Sequence, residues 1–460
     1  MDFRRKAELK RIFRAAVDAV EPGRLVREAL RRDGERIVLT AGGVFAEATA
    51  PFRSVYLVGG GKAGRAMGEA AAAVLGDLVT AGAVAVPAGS GGSAGALRFI
   101  EAGHPVPDAG SREAARAMRG LVARAGEEDL VLALLSGGGS AMISAPADGV
   151  SPRDKEEVMR LLLRSGADIA ELNTVRKHLS AVKGGLLAAA ARPSRVIALL
   201  LSDVPGDDPS VIASGPFSPD PTTHSDAMRI LVGRGLCSTV PPAVRGHVEA
   251  GVGGRIPDTP KPGDPAFERV ECAVIGSNRT ALSAARDAAA GGGAGPVRIL
   301  PGFLRGEARE CARAFVAELR EASFAAAPAR PAVLVAGGET TVAVRGNGRG
   351  GRSQEFALAA ALAMEGEEGI ALLSAGTDGV DGPTKAAGAF ADGSTGSRAR
   401  AAGLSPGDFL ARNDAHAFFE ALSDLLVTGP TGTNVSDLAI GVAFAPAPRK
   451  PGTAGAASRP

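Results

Sequence analysis

The chain has 460 residues, too many for one hydrophobic core, so two domains are expected, with a cleft between them as the default place for a ligand. Hydrophobic residues make up 45% and charged residues 22%, an ordinary globular composition, and no apolar run is long enough to cross a bilayer, which sets membrane insertion aside. A formal net charge of +2, with one Tyr and no Trp on which bases could stack, sets nucleic-acid binding aside as well.

In chain order, Leu9, Ile12, Phe13, Ala16, Val17 and Val20 recur at helical spacing behind Arg4, Arg5 and Lys6, which predicts an amphipathic helix and not an export signal. Then a unit recurs: a short apolar run that reads as a buried parallel strand, a turn of Gly, Ser or Asp, and an Ala-rich helical segment. Strands are predicted at residues 55–58, 83–86, 131–135, 196–201, 273–275, 332–336, 370–374 and 425–427. This is an α/β pattern, in which ligands bind beyond the carboxyl ends of the strands. The Pro-rich stretch 255–265 marks a domain boundary, giving domains over 1–260 and 266–446 and a disordered tail over 447–460. Cys237, Cys272 and Cys311 are far apart and odd in number, with no disulfide framework and no metal-ligand spacing, which suits a reducing cytoplasm.

The first strand ends in Gly59-Gly60-Gly61-Lys62-Ala63-Gly64, whose Gly59, Gly61 and Gly64 match a dinucleotide-binding spacing. No acidic residue for a ribose follows the next strand in Pro87 to Ser90, and a Walker A motif does not fit either. What remains is a glycine turn opening a helix, with free N–H groups at Gly60 and Gly61 and the Lys62 ammonium beside an anion, or simply a tight turn with a solvated lysine. Ser136-Gly137-Gly138-Gly139-Ser140 is the best phosphate cradle in the chain, since successive glycine N–H groups converge on an anion and two hydroxyls add donors. Residues 171–185 read as one helix, with Leu172, Val175, Leu179 and Val182 on its apolar stripe. Arg176, Ser180 and Lys183 fall on another face, able to grip phosphate or carboxylate, with Asn173 nearby; His178 gets no catalytic role. Asp203 and Asp207, after the strand 196–201, are candidates for magnesium, which takes one or two protein oxygens and keeps waters and phosphates.

In the second half, Gly337-Gly338-Glu339-Thr340 follows a strand and repeats the phosphate-binding logic. Arg352 opens an Ala-rich helix and could contact carboxylate or phosphate in bidentate fashion. Asp378 and Asp381 supply two carboxylates after another strand, either of which could be a base, and Asn434 and Asp437 end a hydroxyl-rich turn.

Taken together, GGGKAG, LSGGGSA, ELNTVRKHLSAVKGG, LSDVPGDDPSVIASGP, GGETTV, GRGGRSQEFAL, SAGTDGVDGPT and TGPTGTNVSDL, in this order, resemble the class II glycerate 2-kinase family over about residues 5 to 445. The portion from GGETTV onward looks like the MOFRL domain of such kinases. The resemblance implies two α/β domains, the first Rossmann-like with a mostly parallel sheet, the second smaller, and the active site in the cleft between them. It also implies ATP and Mg2+, and transfer of the γ-phosphoryl to the 2-hydroxyl of D-glycerate. By the same resemblance Lys62 and Arg352 carry the key cationic roles. Asp378 is then the residue that orients the hydroxyl, and Asn173, Arg176, Asn434 and Asp437 contact substrate. The rival readings are a nicotinamide-dependent hydroxypyruvate reductase, a label that such proteins also carry, and a non-catalytic sugar-acid or nucleotide sensor. The oligomeric state is left open, a homodimer included.

Overall fold

The computed structural model describes residues 1, 3–34, 36–41, 44–48, 52–302, 304–327 and 330–445. The expected tail, 447–460, lies outside the described residues. The chain forms two compact units: one of Val20–Asn278 with Gly432–Val435, the other of Met1–Ala19, Arg279–Thr431 and the residues from Ser436 on.

The first unit holds a three-stranded antiparallel sheet of β1 (Leu30–Asp33), β2 (Arg36–Ala41) and β3 (Val44–Ala48). Its main sheet contains β4 (Val55–Gly60), β5 (Val79–Val86), β6 (Gly92–Ala94), β7 (Leu97–Glu101), β8 (Leu130–Ser136), β9 (Arg195–Ser202) and β10 (Val270–Ser277). They run in the order β10-β9-β8-β4-β5-β7-β6, all pairs parallel except β6 with β7. Every residue of β8 is buried, as are all but the first of β9, because helices cover both faces of a parallel sheet; this is why these strands read as unbroken apolar runs. Register aligns the strand ends: Gly60 lies opposite Leu135, and Ser136 opposite Leu201. The turns after β4, β8 and β9 therefore emerge side by side.

The Pro-rich stretch 255–265 is a connection inside this unit, and the chain leaves the unit only after Asn278. The reason is pairing: the apolar strand β10 completes the edge of the parallel sheet on β9, which linker composition does not reveal. The N-terminal helix Phe3–Ala19 is amphipathic as expected, but its buried Leu9, Ile12, Phe13 and Ala16 belong to the second unit, where it packs on the sheet described next.

That sheet holds β11 (Val297–Ile299), β12 (Ala332–Gly338), β13 (Ile370–Gly376), β14 (Gly388–Asp392), β15 (Leu425–Leu426) and β16 (Asp437–Ala443), ordered β11-β12-β16-β13-β14-β15. It is mixed, not parallel throughout: β16 lies between β12 and β13, antiparallel to both. Asp437, the first residue of β16, pairs with Gly338 at the end of β12 and with Gly376 at the end of β13. Register thus gathers the turns after β12 and β13 around one carboxylate. No helix among the described residues is long and apolar enough to cross a membrane.

Candidate active site

In the first unit the turn after β4 is closed by its own protein partners. The amides of Gly61, Lys62, Ala63 and Gly64 donate to the Ala85 carbonyl (3.2 Å), the Gly137 carbonyl (2.8 Å), Ser136 Oγ (3.1 Å) and the Gly61 carbonyl (3.0 Å). The expected anion cradle at Gly60 and Gly61 is therefore not formed, since the N–H groups that would hold the anion are already paired. Gly61 serves close approach instead: at φ 133° a Cβ would stand 2.3 Å from Ser136 Oγ. Gly61→Ala is expected to lower stability by about 3 kcal/mol or more, from strain plus overlap, and a thermal melt checks it. The glycine spacing does not serve a dinucleotide pyrophosphate either, because the same amides would have to bind it. Glu101, at the end of β7, accepts from the amides of Gly89 (3.0 Å) and Gly91 (3.1 Å) in the turn after β5.

The turn after β8 is different. Among the described residues the amides of Gly137, Gly138, Gly139 and Ser140 donate to no protein acceptor, which keeps them available to an anion. Gly138 adopts φ 84°, and a Cβ there would touch the Lys62 and His104 side chains at 3.2–3.4 Å, so both stand over this turn. A Cβ on Gly137 would lie 2.1 Å from Asp203 Oδ2 and 3.0 Å from Asn434 Nδ2, and these two side chains hydrogen-bond at 3.3 Å. Lys62, Gly137 to Gly139, Asp203 and Asn434 thus form one cluster. Asp207 lies farther along the turn after β9, at φ 56°. Among the described residues no three His, Cys, Asp or Glu side chains converge as a metal centre.

Next to this cradle runs a polar chain: Ser140 Oγ to Ser214 Oγ at 2.8 Å, Ser214 Oγ to Asn173 Oδ1 at 3.2 Å, and Arg176 Nη1 to Asn173 Oδ1 at 2.5 Å. The predicted long helix ends at His178, and Lys183 lies in the turn beyond it, so Arg176 and Lys183 share no helical face. The helix stops before Lys183 because Ser180 pairs with Pro146 and the Ala181 amide donates to the Ala145 carbonyl at 3.0 Å. Lys183 is fully buried and its ammonium donates to the Ala213 carbonyl at 3.3 Å. Burial beside Lys155 and Arg176 holds its pKa well below the usual lysine value. Ala213 and Ser214 are themselves left-handed, at φ 52° and 62°, a strain of about 1–3 kcal/mol each that marks functional turns. Sequence reading gave no role to Ser214, His104 or Lys155.

His178 is buried with Nδ1 2.8 Å from the Thr174 carbonyl, consistent with a packing role. With His224, His247, Arg119, Lys177 and Thr259 it lines a cavity of about 360 Å³.

In the second unit Arg352 is the first residue of the helix Arg352–Ala363. Asp381 caps that helix from outside, accepting from the amides of Ser353 (3.1 Å) and Gln354 (2.8 Å) and from Gln354 Nε2 (2.9 Å), which makes it a positioning group and not a base. Burial raises its pKa. The guanidinium of Arg352 holds Asp437 through Nε (2.5 Å) and Nη2 (3.1 Å) and Glu339 through Nη1 (2.6 Å). Its bidentate edge is thus filled by a protein carboxylate, contrary to the expectation that it grips substrate. Asp437 is in turn a partner of Arg352 rather than a group facing substrate alone. Burial pushes Asp437 up to about 7, with Asp381 and Glu339 adding to the rise and Arg352 opposing it. Asp378 approaches the same place: a Cβ on Gly376 would be 3.2 Å from Asp378 Oδ1 and 3.4 Å from Asp437 Oδ1.

The turn at Gly337 to Thr340 is not a phosphate nest. The Gly337 carbonyl accepts from Leu304, the Glu339 amide donates back to Leu304, and the Glu339 carboxylate would repel phosphate. Thr340 is buried.

Residues 8–249 match a family described as a domain of unknown function (DUF4147), and residues 332–437 match the MOFRL family. The chain is 42% identical to the D-glycerate 2-kinase of Thermotoga maritima over 94% of its own length and 96% of that protein's. It is likewise 42% identical to a putative hydroxypyruvate reductase of Agrobacterium vitis, over 94% and 92%. The crystal structure of glycerate kinase from Thermotoga maritima superposes with a TM-score of 0.81 at 40% identity, covering 94% of this chain and 98% of that one. The matches reach into both units, and the chain belongs to the class II glycerate 2-kinase family.

Proposed function

We propose that the protein transfers the γ-phosphoryl group of ATP to the 2-hydroxyl of D-glycerate, giving 2-phosphoglycerate and ADP in a reducing cytoplasm. The observation that carries this reading is the open amide turn Gly137 to Ser140 with Lys62 above it and Asp203 beside it. Phosphoryl transfer needs positioning and charge neutralisation more than covalent chemistry, and this turn supplies both. Its amides and the Ser136 and Ser140 hydroxyls hold nucleotide phosphates, and Lys62 meets the transferring group. Asn173, Arg176 and Lys183 bind reactant anions. Asn434 holds the Asp203 carboxylate in place.

Asp203 and Asp207 are the carboxylates suited to magnesium, which needs only one or two protein oxygens when phosphates supply others. Bound there, the ion would neutralise charge on the phosphates. Asp378 orients the accepting hydroxyl. Arg352 holds Asp437 and Glu339 and offers its remaining N–H groups to the charge that develops in transfer.

A reductase would need a nicotinamide site, and the first glycine turn has spent the amides that such a site uses. Parallel incubations separate the two readings: ATP, magnesium and D-glycerate in one, NADH and hydroxypyruvate in the other. ADP release in the first with no NADH consumption in the second is expected, and the reverse pattern would overturn the kinase.

A further inference from the structure

Behind the Ser140, Ser214 and Asn173 chain lie three cations from three segments: Lys155 on the helix Pro152–Arg164, Arg176 on the helix Ile169–His178, and Lys183 in the turn that follows. Lys183 is 0% exposed and Lys155 6%, while Arg176 and Ser140 are part-exposed and form the open side. Among the described residues Lys155 Nζ is buried with no hydrogen-bond partner, Lys183 Nζ has one carbonyl, and Arg176 has one amide oxygen, which leaves most of their donors unused there. Burial beside Arg176 lowers the pKa of both lysines, and among the described residues no carboxylate hydrogen-bonds to any of the three. Two buried lysines beside an arginine, with no counter-ion among the described residues, oppose folding when charged, and a chain keeps such a group where an anion completes it.

We propose that Lys155, Arg176 and Lys183 form a single oxyanion site whose occupant is the carboxylate of the hydroxy acid, with Lys155 a binding residue. The inference rests on the kinase reading and deepens it. The neighbouring Asn173 amide and the Ser214 hydroxyl are the right partners for a hydroxyl group on the carbon next to a carboxylate. Burial beside Arg176 lowers the pKa of Lys155 to about 7, so an arriving anion also stabilises its charged form. A nucleotide phosphate offers the same oxyanion chemistry, and the test separates the two sources.

The experiment is calorimetric titration of D-glycerate, and separately of ADP with magnesium, into the wild type, Lys155→Met and Arg176→Gln, with thermal melts of each protein. Lys155→Met is expected to weaken D-glycerate binding about tenfold or more, leave ADP binding unchanged, and melt at or above the wild-type temperature, since an unpaired buried ammonium is removed. Arg176→Gln, on the part-exposed side, is expected to weaken D-glycerate in the same way and serves if the first variant does not fold. Loss of ADP binding alone would assign the site to a nucleotide phosphate and keep the oxyanion site. Unchanged affinity for both ligands, or a drop in melting temperature with both affinities falling together, would overturn the proposal. Binding is read without turnover, so a wild type that binds D-glycerate but forms no phosphorylated product would sink the kinase reading and leave this site standing.

Discussion

Lys62→Ala is expected to abolish most phosphoryl transfer, lowering kcat by about 10²–10⁴, the roughly 3–5 kcal/mol that one transition-state cation supplies. The turn itself should keep its shape, because the amide bond from residue 62 to the Gly137 carbonyl does not depend on the side chain and alanine keeps it. Only the side chain that reaches over Gly138 is removed. The check is ADP release at saturating D-glycerate, with a thermal melt alongside: a variant that melts like the wild type and keeps more than about half its rate would remove Lys62 from the chemistry.

Arg352→Ala is expected to act on both stability and activity. It would leave Asp437 beside Asp381 and Glu339 without the guanidinium that holds two of these carboxylates. Losing one partner of a buried pair costs about 3–5 kcal/mol, but the Arg352 side chain is 34% exposed, so roughly 2–3 kcal/mol is the better expectation. For a unit of this size that is a fall of about 5–10 °C in Tm. The effect has a pH signature. Asp437 already stands at about 7, and without Arg352 its folded pKa rises further above the unfolded carboxylate value. The folded variant then binds more protons than the unfolded chain, so its stability rises as pH falls through that window. The deficit against wild type should shrink between about pH 8 and about pH 5. A deficit that is constant with pH would mean that Arg352 acts by packing and not by charge.

Much of the first unit could be read from its sequence, because helices bury both faces of its strands and leave β4, β8 and β9 as continuous apolar runs. The sheet of the second unit was less legible. β14 and β16 are Gly- and Ala-containing strands whose antiparallel placement depends on pairing that their own residues do not announce.

The same division runs through the site. That the amides of Gly137 to Ser140 are left open agrees with a glycine run placed directly after a buried strand. Gly60, Gly61, Gly337 and Gly338 look alike in sequence, yet their turns spend polar backbone groups on Ala85, Ser136, Gly137 and Leu304. Only a tertiary hydrogen-bond count separates an open nest from a closed turn. Lys155 was invisible because a lysine in a charged helical turn reads as solvated, and Asp381 was read as a candidate base because a cap delivered from another segment leaves no mark beside the helix it caps.

The most direct measurement is ³¹P NMR of the products formed from ATP, magnesium and D-glycerate, with Lys62→Ala as the control. A magnesium-dependent 2-phosphoglycerate resonance that is absent from the control is the predicted result. Either 3-phosphoglycerate in its place or no phosphorylated acid at all would contradict the account.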